Sequence, residues 1–209
     1  MKKKMLSMAA AITMAVLCLT GCSNAFKADS IVKVADKYSM DTMERLRDMD
    51  DELKSYLNER DNSAYYVSKN DYEANLMYAA YIYAVHGTSP DISVDEFVYC
   101  IDTKLEKNSG YNRQTEIYMV TASDEKSARA LYDVFAKNCV AYDCSSGEKD
   151  GYTYTIAFLG NDDRSMKVGL YLKGKTLIRI SSGGDAVKGD CTEFFCKELG
   201  LISPSTLEK

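Results

Sequence analysis

Two kinds of apolar spacing divide the chain into two parts. In residues 30–60 and 93–105, apolar side chains recur at intervals of three and four, as on one face of a helix. Between them, the alanine content of residues 72–86 favours a further helix. From residue 115 onward, apolar and polar residues alternate in several short segments, which is typical of strands. The spacing therefore predicts a mainly helical first part and a second part built around a sheet.

Flanking residues support the helices of the first part. Asp71 and Gly87 stand near the two ends of the second segment, although a strand remains the alternative there. Ser93 and Glu96 form a capping box at the start of the third segment. The first segment is predicted to contain one or two helices, with a junction near Met40.

The second part combines strands with two helices. Residues 115–120 alternate as a strand, and residues 123–138 return to helical spacing with Ser123 as the expected N-cap. Three more alternating segments and a final helix over 191–199 follow. This order, β-α-β-β-β-α, predicts an α+β fold whose antiparallel sheet carries both helices on one face.

The N-terminus has the charge and hydrophobicity of an export signal. Lys2, Lys3 and Lys4 precede a run of 15 uncharged, mainly apolar residues from Met5 to Leu19. A membrane-spanning helix needs about 20 apolar residues, so this run is short for a stable span. We therefore expect it to direct export.

The residues that end this run, Leu19, Thr20, Gly21 and Cys22, resemble the lipobox of bacterial lipoproteins. The resemblance covers only the first 22 residues. It implies that Leu19, Thr20 and Gly21 are recognised by a signal peptidase and that Cys22 becomes the N-terminus, carrying acyl chains such as palmitate. Two or more acyl chains anchor a protein stably. The expected location is the extracytoplasmic side of the cell membrane. An uncleaved anchor helix and ordinary signal-peptide cleavage nearby are the alternatives.

The predicted organisation has five regions. They are a signal peptide over 1–21, a short tether over 22–29, a mainly helical region over 30–110, an α+β domain over 111–202 and a tail over 203–209. The mature chain would contain 188 of the 209 residues. Its formal charge would change from −5 to −8, because the leader carries three lysines and no acidic residue. An acidic chain argues against nucleic acid as a partner.

Five cysteines would remain as thiols or disulfides after removal of the leader and acylation of Cys22. Because five is an odd number, at least one stays free or pairs with another chain. Cys139 and Cys144 are close enough in sequence for a local bridge, whereas Cys191 and Cys196 lie about 140° apart on a helix. We expect most of the five to be small buried residues; they are Cys100, Cys139, Cys144, Cys191 and Cys196.

Few residues suggest chemistry. His86 is the one histidine of the sequence, which excludes multi-histidine zinc sites, and no GxSxG or HExxH motif is present. We expect no cofactor, no metal and no catalytic residue. A pair of facing carboxylates remains open, because sequence does not give their separation. Six tyrosines in the first part form a possible binding surface for a peptide or glycan: Tyr65, Tyr66, Tyr72, Tyr78, Tyr81 and Tyr83.

Three functional hypotheses are compatible with these observations. The first is a non-catalytic binding or interaction module for an envelope protein, a peptide or a glycan. The second is a carboxylate-dependent envelope hydrolase, and the third is a structural or accessory subunit of an envelope complex. Without a catalytic motif, the sequence favours the binding module over an enzyme. It does not distinguish a one-membrane from a two-membrane organism.

Overall fold

The part of the chain that the structure describes is organised around one sheet of eight strands. The computed structural model describes residues 26–43, 63–83, 90–105, 112–140, 142–161, 164–183 and 191–207. The strands are β1 (Asp41–Thr42), β2 (Ser63–Ser68), β3 (Val94–Leu105), β4 (Asn112–Ala122), β5 (Asp143–Lys149), β6 (Tyr152–Asn161), β7 (Arg164–Lys173) and β8 (Thr176–Gly183). Their order in the sheet is β1-β2-β3-β4-β8-β7-β6-β5.

The described helices come from all parts of the chain. They are α1 (Ala28–Lys37), α2 (Asp71–Tyr78), which continues as a π-helix (Ala79–Tyr83), α3 (Glu125–Cys139), α4 (Cys191–Leu199) and a 3-10 helix (Pro204–Leu207). The mixed α/β content agrees with the predicted class.

Two antiparallel meanders meet in the middle of the sheet. One consists of β2, β3 and β4, and the other of β5 to β8. They join where β4 pairs with β8, with Tyr118 opposite Arg179. The short strand β1 is the exception, because it pairs in parallel with β2.

Helices cover both faces of this sheet, which corrects the expectation that they share one face. Face A is the face covered by α2, its π-helical extension and α3. Face B is the face covered by α1 and α4. The predicted pair of covering helices, α3 and α4, is therefore divided between the two faces. The alternation in single strands predicts one buried face, and it does not reveal that the second face is covered as well.

The predicted helix over 93–105 is wrong, because these residues form β3. Phe97 and Tyr99 point to face A, while Val98 and Cys100 point to face B. A strand buried on both sides is apolar at nearly every position, so it also contains the three- and four-residue spacings of a helix. The expected capping box does not form, since the Asn75 side chain bonds the backbone amide and carbonyl of Val94, each at 3.0 Å.

The first predicted segment is described over residues 30–43. There, α1 ends at Lys37, and Ser39 follows with a left-handed φ of 64°. The chain then forms β1 close to the predicted junction, with Met40 and Met43 buried. Residues 44–62 of the predicted segment lie outside the described residues.

Several predictions are confirmed. The helix predicted over 72–86 begins at Asp71 and is described to Tyr83, the helix over 123–138 is α3, and the last helix spans Cys191–Leu199. Asp124 is the N-cap of α3, in place of the expected Ser123, because its carboxylate accepts the Ser127 amide at 2.8 Å. The strand around 115–120 and the three later strands are also present, but the predicted order β-α-β-β-β-α omits β5, which lies between α3 and β6.

The sheet continues across the predicted boundary between the helical region and the α+β domain. The predicted boundary falls between residues 110 and 111. Strand β3 precedes it, β4 follows it, and the two strands pair along their length. The described part of 30–110 therefore contains three strands and is not mainly helical. The predicted tether and tail are also folded in part, because Phe26 and Leu207 pack against the face B core.

Candidate functional site

Face A changes from apolar to polar across successive rows of the sheet. Register places Phe97, Val120 and Leu177 in one row. The next row contains Tyr99, Tyr118 and Arg179, and the following one contains Ile101, Glu116 and Ser181. The polar rows bring together the residues that we call the Arg179 cluster: Tyr81, Tyr99, Glu116, Tyr118 and Arg179.

Arg179 lies half-buried between two aromatic rings. Its guanidinium carbon is 5.6 Å from the centre of the Tyr118 ring and 5.7 Å from that of Phe135. Both distances are within the range of cation–π attraction. One amino group donates to Ser181 Oγ at 2.9 Å. Within the described residues, Arg179 has no acidic side chain within 4.0 Å, so most of its five N–H donors remain available.

Glu116 supplies the negative group of the cluster. Gln114 Nε2 donates to Glu116 Oε1 at 2.8 Å. The hydroxyls of Tyr99 and Tyr118 approach the two carboxylate oxygens at 3.4 and 3.3 Å, which is long for an O–H···O bond. Because two of its three partners are distant, the carboxylate retains capacity to accept further hydrogen bonds.

The tyrosines of the cluster are packed against one another. The Tyr81 and Tyr99 rings stack with centroids 5.2 Å apart, and the Tyr99 and Tyr118 rings lie 5.1 Å apart. Burial, and then the nearby Glu116 charge, raise the pKa of Tyr99 and of Tyr118 above the ordinary tyrosine value. Both hydroxyls therefore stay protonated at neutral pH and act as donors.

Polar side chains on face B are more completely enclosed. Asp102 is 5% exposed and accepts hydrogen bonds from the Ser63 and Tyr38 hydroxyls. Lys167 is 2% exposed, and its Nζ donates to Ser205 Oγ at 2.8 Å. These side chains are enclosed by the 3-10 helix and α1, so they serve packing and are not accessible to a ligand.

A cleft of about 470 Å³ opens on face B between the start of α1 and the end of α4. Its apolar wall includes Phe26, Ile31 and Ile178. Two lysines, Lys27 and Lys173, line it together with acidic residues. The cleft is therefore amphipathic, with a basic component that the acidic composition of the chain does not predict.

The six predicted surface tyrosines do not form one exposed surface, which corrects that expectation for the five whose side chains are described. Tyr65, Tyr66 and Tyr78 are at most 5% exposed, with Tyr65 on face B and the other two on face A. Tyr72 is exposed, at 73%. Tyr81 alone of the six belongs to the Arg179 cluster, and the Tyr83 side chain lies outside the described part.

The residues predicted to direct lipid anchoring, Leu19, Thr20, Gly21 and Cys22, lie outside the described residues. The five remaining cysteines are thiols in the structure: Cys144 is exposed, and Cys100, Cys139, Cys191 and Cys196 are buried, as expected for small apolar positions. Within the described ranges, no group of three or more metal-binding side chains occurs. None of the helices described is long and apolar enough to cross a membrane.

The residues Glu116 and Arg179 were not identified by sequence motifs. A usable indication was nevertheless present, since Arg179 interrupts the apolar pair Ile178 and Ile180 in a strand. A charge at a position that faces a covered side of a sheet needs a partner or a function. Recognising it requires the knowledge that face A is covered, which the alternation did not provide.

No protein-family model matches the chain, and no curated protein matches it. A solved structure to which it is similar is the extracellular domain of PknH from Mycobacterium tuberculosis. The alignment covers 72% of this chain and 89% of that chain, with 11% identity and a TM-score of 0.39. Similarity at this level does not show a shared fold or function.

Proposed function

We propose that this chain is a lipid-anchored binding module on the extracytoplasmic side of the cell membrane, and that Arg179 binds an anionic group of its ligand. The supporting observation is the half-buried guanidinium, which lies between two rings without an acidic partner among the described residues. Placing a cation in a partly desolvated site is costly unless an anion accompanies it. A bound carboxylate would offset that cost through two parallel hydrogen bonds.

The neighbouring groups favour a peptide among the candidate partners. Glu116 accepts hydrogen bonds from N–H donors, while Arg179 accommodates a carboxylate, and a peptide end carries both kinds of group. The stacked Tyr81 and Tyr99 rings offer a flat apolar surface beside them. Neutral glycans lack the carboxylate. The preferred ligand is therefore the free C-terminal end of a peptide or of an envelope protein.

The hydrolase alternative has less support. It needs two facing carboxylates, and among the described residues Glu116 is the one carboxylate of the Arg179 cluster. No observation favours an oligomeric or accessory role. The binding function is the better supported hypothesis.

Titration of the protein with a pool of N-acetylated tripeptides tests the ligand chemistry. We expect the Arg179 Nε–Hε resonance to shift with free C-terminal carboxylates and to remain unchanged with C-terminally amidated peptides. Arg179→Ala should abolish the response of the neighbouring tyrosines. Arg129→Ala is the matched control, because Arg129 lies 5.3 Å from the Tyr132 ring on the same face and should leave binding intact. Equal shifts with both peptide pools would contradict the proposal.

Metabolic labelling tests the anchor separately. Radiolabelled palmitate should enter the wild-type chain and fractionate with membranes, whereas Cys22→Ser should remain unlabelled. A labelled Cys22→Ser chain, or an unlabelled wild-type chain, would contradict lipidation at Cys22 while leaving the ligand chemistry of Arg179 unaffected.

A further inference from the structure

The folded body begins very near the residue that carries the proposed lipid. Phe26 already packs on Tyr152, with ring centroids 5.8 Å apart, and α1 starts two residues later. Only three residues separate Phe26 from Cys22 in the sequence. Four residue steps span at most about 14 Å when fully extended. The surface around Phe26 is thus held within that distance of the acylated residue.

The face B cleft lies at this surface, because Phe26 is part of its wall. Ser30, at the start of α1 beside the cleft, is exposed. Val140 follows the last residue of α3, which covers face A, and is 72% exposed. These two positions distinguish a cleft that faces the bilayer from one that faces away.

Charge at the cleft suits an anionic surface. The Glu198 carboxylate is occupied by Lys37 Nζ at 2.6 Å. Lys173 Nζ donates to the Asp150 backbone carbonyl at 3.3 Å, and neither Lys27 nor Lys173 forms an ion pair within the described residues. Two cations with one remaining carboxylate, Asp150, give the cleft a positive balance on an acidic protein. A lysine near an anionic lipid surface is attracted to the negatively charged headgroups.

We infer that the cleft between α1 and α4 is the membrane-facing surface of the protein, with Lys27 and Lys173 against the phosphates of anionic lipid headgroups. This inference rests on the proposed acylation of Cys22. It places face B toward the bilayer. The Arg179 cluster, on face A, is turned toward the extracytoplasmic space, where a partner reaches it.

Tryptophan fluorescence tests this orientation, because the chain contains no tryptophan. Ser30→Trp places one at the exposed start of α1 beside the cleft, and Val140→Trp places one on the opposite side of the sheet, at the end of α3. The full-length lipidated variants are reconstituted in vesicles of phosphatidylethanolamine and phosphatidylglycerol that contain a headgroup-nitroxide lipid. We expect quenching of the Ser30→Trp variant to be at least about twofold stronger. Equal quenching, or stronger quenching of the Val140→Trp variant, overturns the inference.

Two further measurements separate the contribution of the two lysines to quenching from that of the acyl anchor. Adding Lys27→Gln and Lys173→Gln to Ser30→Trp should reduce its quenching, whereas inorganic phosphate at millimolar concentration should not compete with the lipid. Unchanged quenching in the triple variant, or full competition by phosphate, overturns the assignment of the lysines to headgroups. Mass spectrometry of the same samples measures acylation. An acylated chain with the wrong quenching order overturns the orientation alone, and an unacylated chain overturns the anchor and the orientation together.

Discussion

Each face of the sheet contains a basic side chain within its core, and the two are held differently. Lys167 on face B is almost fully buried and bonds Ser205 of the C-terminal 3-10 helix. Arg179 on face A is half-buried, bonds Ser181 of its own strand and lies between two rings. Lys167 links the C-terminal 3-10 helix to the sheet, whereas Arg179 bonds within its own strand and stays partly accessible to solvent. The two cations therefore differ in burial and in the element that each one bonds.

Removing each cation tests this difference most directly. We expect Lys167→Ala to lower the free energy of unfolding by about 3 kcal/mol, because it leaves a cavity and unpaired partners. Arg179→Ala should lower it by only about 1 kcal/mol, since solvent reaches the site. Urea unfolding followed by circular dichroism measures both values. A cost for Arg179→Ala as large as that for Lys167→Ala would show that Arg179 is structural.

Glycine substitutions compare, on a smaller scale, the interior of face B with its half-buried margin. A Cβ at Gly169 would lie 2.2 Å from the Tyr171 hydroxyl, and Tyr171 is completely buried on face B. We expect Gly169→Ala to cost about 2 kcal/mol. At Gly147 the nearest atom is the Tyr154 hydroxyl, at 2.9 Å, on a ring that is only half-buried and is able to move. Gly147→Ala should therefore cost clearly less in the same unfolding assay.

The α3 cap on face A predicts a pH dependence. Hydrogen bonds from the Ser127 amide and hydroxyl lower the pKa of Asp124. A lowered pKa in the folded state stabilises the protein above the ordinary aspartate range, and the effect is lost as pH falls through the folded value. Asp124→Ala should therefore lower Tm by a small amount at pH 7, and the difference should vanish near pH 2. Thermal melts at both pH values measure it, and a constant difference would exclude a role for the charge.

The alkylation rates of cysteine thiols compare how accessible the two faces are to a reagent in the native protein. In the native protein, one thiol, the exposed Cys144, should react rapidly with iodoacetamide at pH 8. Burial raises the pKa of Cys139 on face A to about 11 and that of Cys100 on face B further, so both should react slowly. Cys139 should be modified before Cys100. Peptide mapping after timed quenching gives the order, and early modification of Cys100 would contradict the closed packing of face B.

The elements that could be predicted from sequence were those with one exposed side or clear ends. Helix α4 has Gly200 after it in a left-handed conformation, φ 68°, which marks its end in the sequence. Strand β3 was not predictable from periodicity, because both of its sides are buried. Its identity depends on pairing with β2 and β4, which are contacts that local spacing does not contain.

The candidate site was harder to predict than the fold. Tyrosine abundance suggested a surface, but Tyr65 and Tyr66, neighbours in β2, point to opposite faces. Arg179 and Glu116 are 63 positions apart in sequence. They lie in adjacent rows of the sheet only because β4 pairs with β8. Register across the sheet, which sequence does not give, determines the cluster.

The covering of face B by the first and last helices has a consequence for how the chain folds. Lys37 of α1 and Glu198 of α4 are joined across 161 positions of sequence. If the chain is exported as we propose, its N-terminus emerges first, and the shared face of α1 and α4 would close only after α4 had crossed the membrane. Contacts of this separation form late and slowly. During that interval the proposed acyl group would hold the N-terminus at the bilayer, and a chain that ends before residue 191 would leave the apolar strands of face B open to aggregation.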